Sequence, residues 1–182
     1  MQPEHFPRLR TARFVLRRIG WGDQEQVFAG LSDPEVIRYY GVSYATLEAT
    51  AAQLRWFEEL LATGTGIWWG ICRAEEPGTL LGACGFNEWK REHRRAEIGF
   101  WLRPAYWKQG VMTEVVPTIL RYGFGEMGLH RVEAIVEGEN DASAALLRRL
   151  GFQYEGTHRE CEIKHGRFID LAWYGLLSDW AY

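Results

Sequence analysis

The sequence predicts an α/β protein of the α+β kind: a mixed, mostly antiparallel sheet flanked by helices. Three observations lead there. Three strand-like runs, at 67–73, 79–89 and 94–102, follow one another with only short turns between them, which requires antiparallel neighbours. Further strand-like runs at 131–137, 158–164 and 167–176 come after segments with helical periodicity. With 182 residues, 47% of them hydrophobic, the chain suits one domain with a substantial core and is short for two, so a single domain over 1–182 is expected.

Each element has a local reason. Arg13 to Ile19 reads as the first strand, and Asp23 can cap a helix carrying Val27, Phe28 and Leu31 that stops near Ser32-Asp33-Pro34. Thr46 can cap a second helix, because Leu47, Ala51, Leu54, Phe57 and Leu61 make one apolar stripe that ends at Gly64 and Gly66. Glu75-Glu76-Pro77-Gly78 is a turn between two strands. A helix runs from the loop at Gly110 to Met127, with a kink or late start expected at Pro117, which lacks an N–H to donate. Asp141 to Leu150 is a helix stopped by Gly151, and His165-Gly166 joins the last hairpin.

Composition excludes some functions. The 21 basic and 24 acidic residues leave a formal charge of −3, so no broad positive field for nucleic acid is expected, although Arg91, Arg94 and Arg95, and Arg148 and Arg149, form local clusters. Cys72, Cys84 and Cys161 lie far apart without C-x-x-C spacing, so neither a metal site nor a disulfide framework is implied; Cys72 and Cys84 read as buried, Cys84 as nucleophile being the lesser alternative. Reduced thiols suit the cytoplasm. The opening Met1 to Pro7 has no charged head followed by an apolar run, and no segment suits a membrane span, so no membrane partner is expected.

Two stretches carry chemistry. Tyr106-Trp107-Lys108-Gln109-Gly110-Val111-Met112-Thr113-Glu114 follows a strand and opens a helix, so its backbone N–H groups and the helix dipole would attract an anion such as a phosphate. Arg95 to Leu102 alternates, placing Ala96, Ile98, Phe100 and Leu102 on one face and Glu97, Gly99 and Trp101 on the other. Glu97, a carboxylate between apolar neighbours, is either a surface group or a proton acceptor whose pKa partial burial would raise. Glu88, Glu133 and His93 are weaker alternatives for that role. Trp21, Tyr39, Tyr40, Trp68, Trp69 and Trp89 are either core or the lining of an apolar cleft.

With Leu129 to Val136, Glu139-Asn140-Asp141-Ala142-Ser143 and Leu146 to Phe152, these segments resemble, over nearly the whole chain, the GCN5-related N-acetyltransferase (GNAT) superfamily, and within it the RimJ/RimL-type branch that acetylates N-terminal amines of ribosomal proteins. The resemblance implies a sheet whose central strands splay apart, and acetyl-CoA as cosubstrate with no metal. Gln109, Gly110, Val111, Met112 and Thr113 match the pyrophosphate loop, Phe100, Trp101 and Leu102 the strand beside pantetheine, and Asn140 the amide that holds the cofactor arm. Glu97 matches the base acting through water. Ser143 matches the hydrogen-bond donor to the departing sulfur, where other branches have a tyrosine and this chain has Leu147. Trp107 and Met112 depart from the commoner pattern, and Met112 is expected to narrow the room near the phosphates.

The expected partner is an amine acceptor, foremost a protein N-terminus such as that of a ribosomal protein. A small-molecule amine is the alternative acceptor, and a noncatalytic acyl-CoA binding module the alternative function. Monomer and homodimer are both open.

Overall fold

The computed structural model describes residues 6–179; the expectation resting on Met1 to His5 lies outside them. The strands are β1 (Leu9–Arg10), β2 (Phe14–Arg18), β3 (Ile67–Arg73), β4 (Leu80–Lys90), β5 (Arg95–Leu102), β6 (Arg131–Glu137), β7 (Gln153–Lys164) and β8 (Arg167–Leu177). The helices are α1 (Gln24–Leu31), α2 (Pro34–Ile37), α3 (Leu47–Thr63), α4 (Val111–Gly125) and α5 (Asp141–Arg149). One sheet runs in the order β1-β2-β3-β4-β5-β6-β8-β7. Every neighbouring pair is antiparallel except β5 and β6, which α4 connects as a parallel crossover. This is the expected mixed, mostly antiparallel sheet with flanking helices.

The sheet separates two apolar layers. Val111, Val115, Ile119 and Leu120 of α4, with Ala144 and Leu147 of α5, pack on Phe14, Leu16, Trp69, Phe86, Ile98 and Val132. On the opposite face Val27 and Leu31 of α1, Val36 of α2, and Leu54, Phe57 and Leu60 of α3 pack on Val15, Trp68, Cys72 and Trp101. The alternation along β5 is as expected: Ala96, Ile98 and Leu102 belong to the α4 side and Trp101 to the other. No helix among the described residues is long and apolar enough to cross a membrane.

Several local expectations are corrected. Asp23 stands at the start of α1, but its side chain does not cap that helix: the carboxylate takes a bidentate pair of bonds from Arg17 at 2.7 and 2.8 Å and one from the Gly20 N–H at 2.9 Å. The buried face of α3 is Thr50, Gln53, Leu54, Phe57 and Leu60, a stripe rotated from the apolar one, because Thr50 bonds the Thr46 carbonyl and Gln53 accepts from the Tyr44 hydroxyl. Pro117 sits inside α4, which starts at Val111 and not late. The run after Gly151 and the strand from His158 are one strand, β7, interrupted by irregularities between Tyr154 and Gly156 and between His158 and Glu162. β1 and α2 went unpredicted, although Asp33 before Pro34 is a capping pattern, with the Asp33 side chain accepting from the Glu35 N–H at 2.9 Å.

The parallel junction positions the site. β5 and β6 pair only at Arg95–Arg131, Ala96–Val132 and Glu97–Glu133. Beyond Glu97, β5 remains paired with β4 and β6 with β8, so each keeps one partner while the two diverge from each other. The backbone groups of 98–102 and 134–137 that face this gap lack a strand neighbour, the splay the resemblance implied.

Candidate active site

A cavity of about 800 Å³ lies between the diverging strands, lined by Ile98 to Leu102 on one side and Ala134 to Glu137 on the other. It continues past Glu97 to a second region bounded by Tyr39, Tyr40, Trp56, Trp68, Asn87 and Glu162. Glu97 stands at the apex, on the last paired residue before the strands part, with Asn87 opposite on β4 and Glu133 opposite on β6. Burial pushes its carboxyl above the usual carboxylate range; a hydrogen bond with Asn87 pulls it back, while Glu88, Glu133 and Glu162 push it further up. A carboxylate so placed can accept a proton closer to neutrality than an exposed one.

The weaker alternatives stand outside the cavity lining. Glu133 is held by Arg95 at 2.5 Å and Arg131 at 2.8 Å. Glu88 pairs with Lys90, and the His93 side chain is exposed. Cys84 is fully buried and its thiol is pushed up by burial, which disfavours a nucleophilic thiolate. Of the six aromatics singled out from the sequence, Tyr39, Tyr40 and Trp68 line the cavity. Trp69 is core, its Nε1 donating to the Pro7 carbonyl, Trp89 stacks with Arg91, and Trp21 is exposed. The basic cluster near 91–95 is structural, Arg94 bonding the Gly128 carbonyl and Arg91 that of Gly64.

Trp68 fits where it does because β4 and β5 present glycines there. A Cβ on Gly99 would lie 2.8 Å from the Trp68 ring, and one on Gly85 2.6 Å from it. Gly85 and Gly99 are opposite each other in the ladder, so together they leave a seat for the indole beside Glu97.

At the other end, Gly110 has φ +74° and precedes α4 with no side-chain cap. The Glu114 N–H is the first to close onto the helix, donating to the Gly110 carbonyl at 3.2 Å. The N–H groups of Val111, Met112 and Thr113 therefore have no intrahelical acceptor, the arrangement a phosphate requires. Arg13 braces the loop by bonding the Gln109 carbonyl and Glu114. Val111 and Met112 are buried in the main core, so any contact with a ligand is through backbone, and the Met112 side chain does not narrow the loop as expected. The Gln109 side chain is turned to the Ala105 carbonyl. Trp107 donates its Nε1 proton to the Leu102 carbonyl at 2.7 Å, tying the loop to the end of β5, and lines the cavity with Lys108, a cation to which the sequence reading gave no role.

Asn140 and Ser143 lie on the first turn of α5 and line the same cavity. The Asn140 Oδ1 accepts from the Ser143 N–H at 3.1 Å, so the side chain does cap the helix, and its amide N–H groups remain for a ligand. The Ser143 hydroxyl has no hydrogen-bond partner among the described residues. Phe100, Trp101 and Leu102 lie on β5 and line the gap.

A gap with unpaired strand backbone on both sides and an uncapped helix start at one end suits an extended arm ending in phosphates, which defines an acyl-CoA-dependent transferase. The model of the acetyltransferase (GNAT) domain matches residues 13–153, and the chain belongs to this family. It is an acetyl-CoA-dependent N-acetyltransferase with the GNAT fold. It is 38% identical over 174 residues to the uncharacterized N-acetyltransferase YoaA of Bacillus subtilis (strain 168), covering 95% of this chain and 98% of that one. The acetyltransferase (GNAT family) from Bacillus anthracis superposes with a TM-score of 0.81 at 26% identity, over 95% of this chain and 99% of that one. Two shorter matches name acceptors. YdaF of B. subtilis, provisionally named a ribosomal N-acetyltransferase, is 32% identical over 56% of this chain and 55% of its own. The spermidine N(1)-acetyltransferase of Escherichia coli (strain K12) is 32% identical over 51% of this chain and 47% of its own.

Proposed function

We propose that the chain acetylates the α-amine of a peptide or protein N-terminus, as the RimJ/RimL-type branch does, in the cytoplasm. Bound acetyl-CoA would supply an activated acetyl thioester. In this reading the backbone of Phe100, Trp101 and Leu102 and the Asn140 amide hold the pantetheine arm, while the loop from Gln109 to Thr113, with Lys108, holds the pyrophosphate. Glu97 takes a proton from the acceptor ammonium through water, and Ser143 donates a hydrogen bond to the departing sulfur. The three cysteines, all free, support a reducing compartment.

The observation that carries this reading is the Glu97 carboxyl at the apex of the cleft, raised by burial and pulled back by Asn87. An α-amine has an unperturbed pKa of about 8 against about 10.4 for lysine, so a carboxylate base is more adequate for an N-terminus. Glu35 and Glu162 on the acceptor side, and the match to a spermidine acetyltransferase, favour a polycationic small amine as the second reading. Mass spectrometry of peptides incubated with acetyl-CoA separates them. Peptides with a free N-terminus are expected to be acetylated faster than matched N-blocked peptides carrying only lysine. Preferential lysine modification, or activity confined to polyamines, would overturn the N-terminal assignment.

A further inference from the structure

The ammonium of Lys164, at the tip of the β7–β8 hairpin, joins three parts of the chain that are remote in sequence. It donates to the Arg38 carbonyl at 2.9 Å, the Tyr40 carbonyl at 3.2 Å and the Glu137 Oε1 at 2.5 Å. These three acceptors match its three protons, and both charged side chains are largely withdrawn from solvent, 18% and 13% exposed. Glu137 closes β6 on the cofactor side of the cavity, whereas Arg38 and Tyr40 belong to the segment after α2 that walls the acceptor side.

Apart from the clasp, that segment is held where Tyr40 and Tyr44 pack on the α1–α3 layer and the Tyr44 hydroxyl donates to Gln53. The Tyr40 N–H bonds the Ile37 carbonyl at 3.2 Å and the Tyr44 N–H the Leu31 carbonyl at 3.0 Å, and residues 41–43 between them are exposed. Yet the segment carries Tyr39 and Tyr40 into the cavity beside Glu97. Hydrogen bonds from a charged donor in a sheltered place are stronger than neutral ones and hold geometry as well as energy.

We infer that Lys164 is a positioning residue for the acceptor: clasping Glu137 to the backbone of Arg38 and Tyr40, it sets the tyrosine wall against which the incoming amine is aligned. This rests on the reading of the Glu97 side of the cavity as the acceptor site. The Lys164 ammonium itself touches neither the loop at Gly110 nor α5, and Glu137 keeps its backbone tie to Asn140, whose N–H donates to the Glu137 carbonyl at 2.9 Å, without it; removing the ammonium therefore acts on the acceptor wall and not on acetyl-CoA.

Lys164→Met, Lys164→Arg and the wild type separate this from a merely structural role. With a free-N-terminus peptide as acceptor, Lys164→Met should raise the acceptor KM roughly tenfold or more, the scale of a lost charge-assisted clasp, while kcat changes less. Its acetyl-CoA dissociation constant by calorimetry should equal that of the wild type. Lys164→Arg, keeping charge and donors, should recover part of the KM. Hydrogen exchange read by mass spectrometry should speed up at 38–42 in Lys164→Met and be unaltered in α4. An unchanged acceptor KM in a folded Lys164→Met, or unchanged exchange at 38–42, overturns the inference. A wild type that acetylates polyamines and no peptide sinks the N-terminal reading instead; the same KM comparison then runs with spermidine as acceptor.

Discussion

Glu97 combines two opposed demands. Because burial raises its folded pKa above the unfolded value, the protonated form favours folding, and that contribution is lost as pH rises from the unfolded toward the folded pKa. Near neutrality the ionised, buried carboxylate therefore weakens the fold. Glu97→Gln should raise the melting temperature at pH 7 to 8 while lowering kcat by ~10²-fold or more, and the kinetic loss should shrink as pH rises and free amine accumulates. Calorimetric scans and steady-state rates on the two proteins check both halves; wild-type turnover in the variant would return the base to solvent or another group. The place of Glu97 in the cleft was legible because a mid-strand carboxylate among apolar neighbours stands out. Asn87, Glu162 and Lys164 were not: each is an ordinary polar residue in a hairpin strand, and nothing local records that Asn87 and Glu162 line the cavity or that Lys164 reaches Arg38, Tyr40 and Glu137. Trp56 was equally hidden, and Trp68 stood among six aromatics left open between core and cleft, since aromatic spacing along one strand or helix does not say which ring meets a cleft and which the core.

Among the elements, α4 shows most directly how local chemistry makes a binding surface. Gly110 at φ +74° lets the chain enter the helix without a side-chain cap, leaving three amides open. A Cβ there would meet only the Arg13 guanidinium at 3.5 Å, so space is available and the backbone conformation is the obstacle. Gly110→Val should accordingly cost about 1–2 kcal/mol of stability from the left-handed conformation alone and weaken acetyl-CoA binding as the loop shifts. Denaturant unfolding and calorimetric titration measure the two; unaltered acetyl-CoA affinity would remove this loop from the cofactor site. Elements with strong local signals were legible, among them α3 behind Thr46, whose side chain accepts from the Ala49 N–H, and the β7–β8 turn with His165 and Gly166 both at positive φ. The buried face of α3 was misread because Thr50 and Gln53 satisfy their polar groups internally and so can enter the core in place of Leu47 and Leu61. β1, two residues long, carries too little pattern to be seen.

At the scale of the molecule, the sheet consists of two antiparallel halves, β1–β5 and β6–β8, meeting at three residue pairs. The topology followed from the order of elements, but the extent of that junction depends on where two strands diverge, which no local pattern records. A ligand lying in the gap would bridge the halves in the folded state only. Thermal unfolding should therefore move upward with the logarithm of acetyl-CoA concentration beyond its dissociation constant, by about 2.7 kcal/mol of added stability at a hundredfold excess over that constant. A melting temperature indifferent to acetyl-CoA would contradict binding there. The sheet's outer margins have a different consequence. β1 is short, whereas β7 offers 12 residues on the far side, long enough to template fibrous stacking of one copy upon another. Its ladder is broken twice, Glu160 adopts a φ of +51°, and the interrupted stretch bears Arg159, Glu160 and Glu162. The irregularities that obscured this strand in the sequence thus deny an incoming chain a continuous row of donors and acceptors, a safeguard against self-aggregation written into the backbone itself.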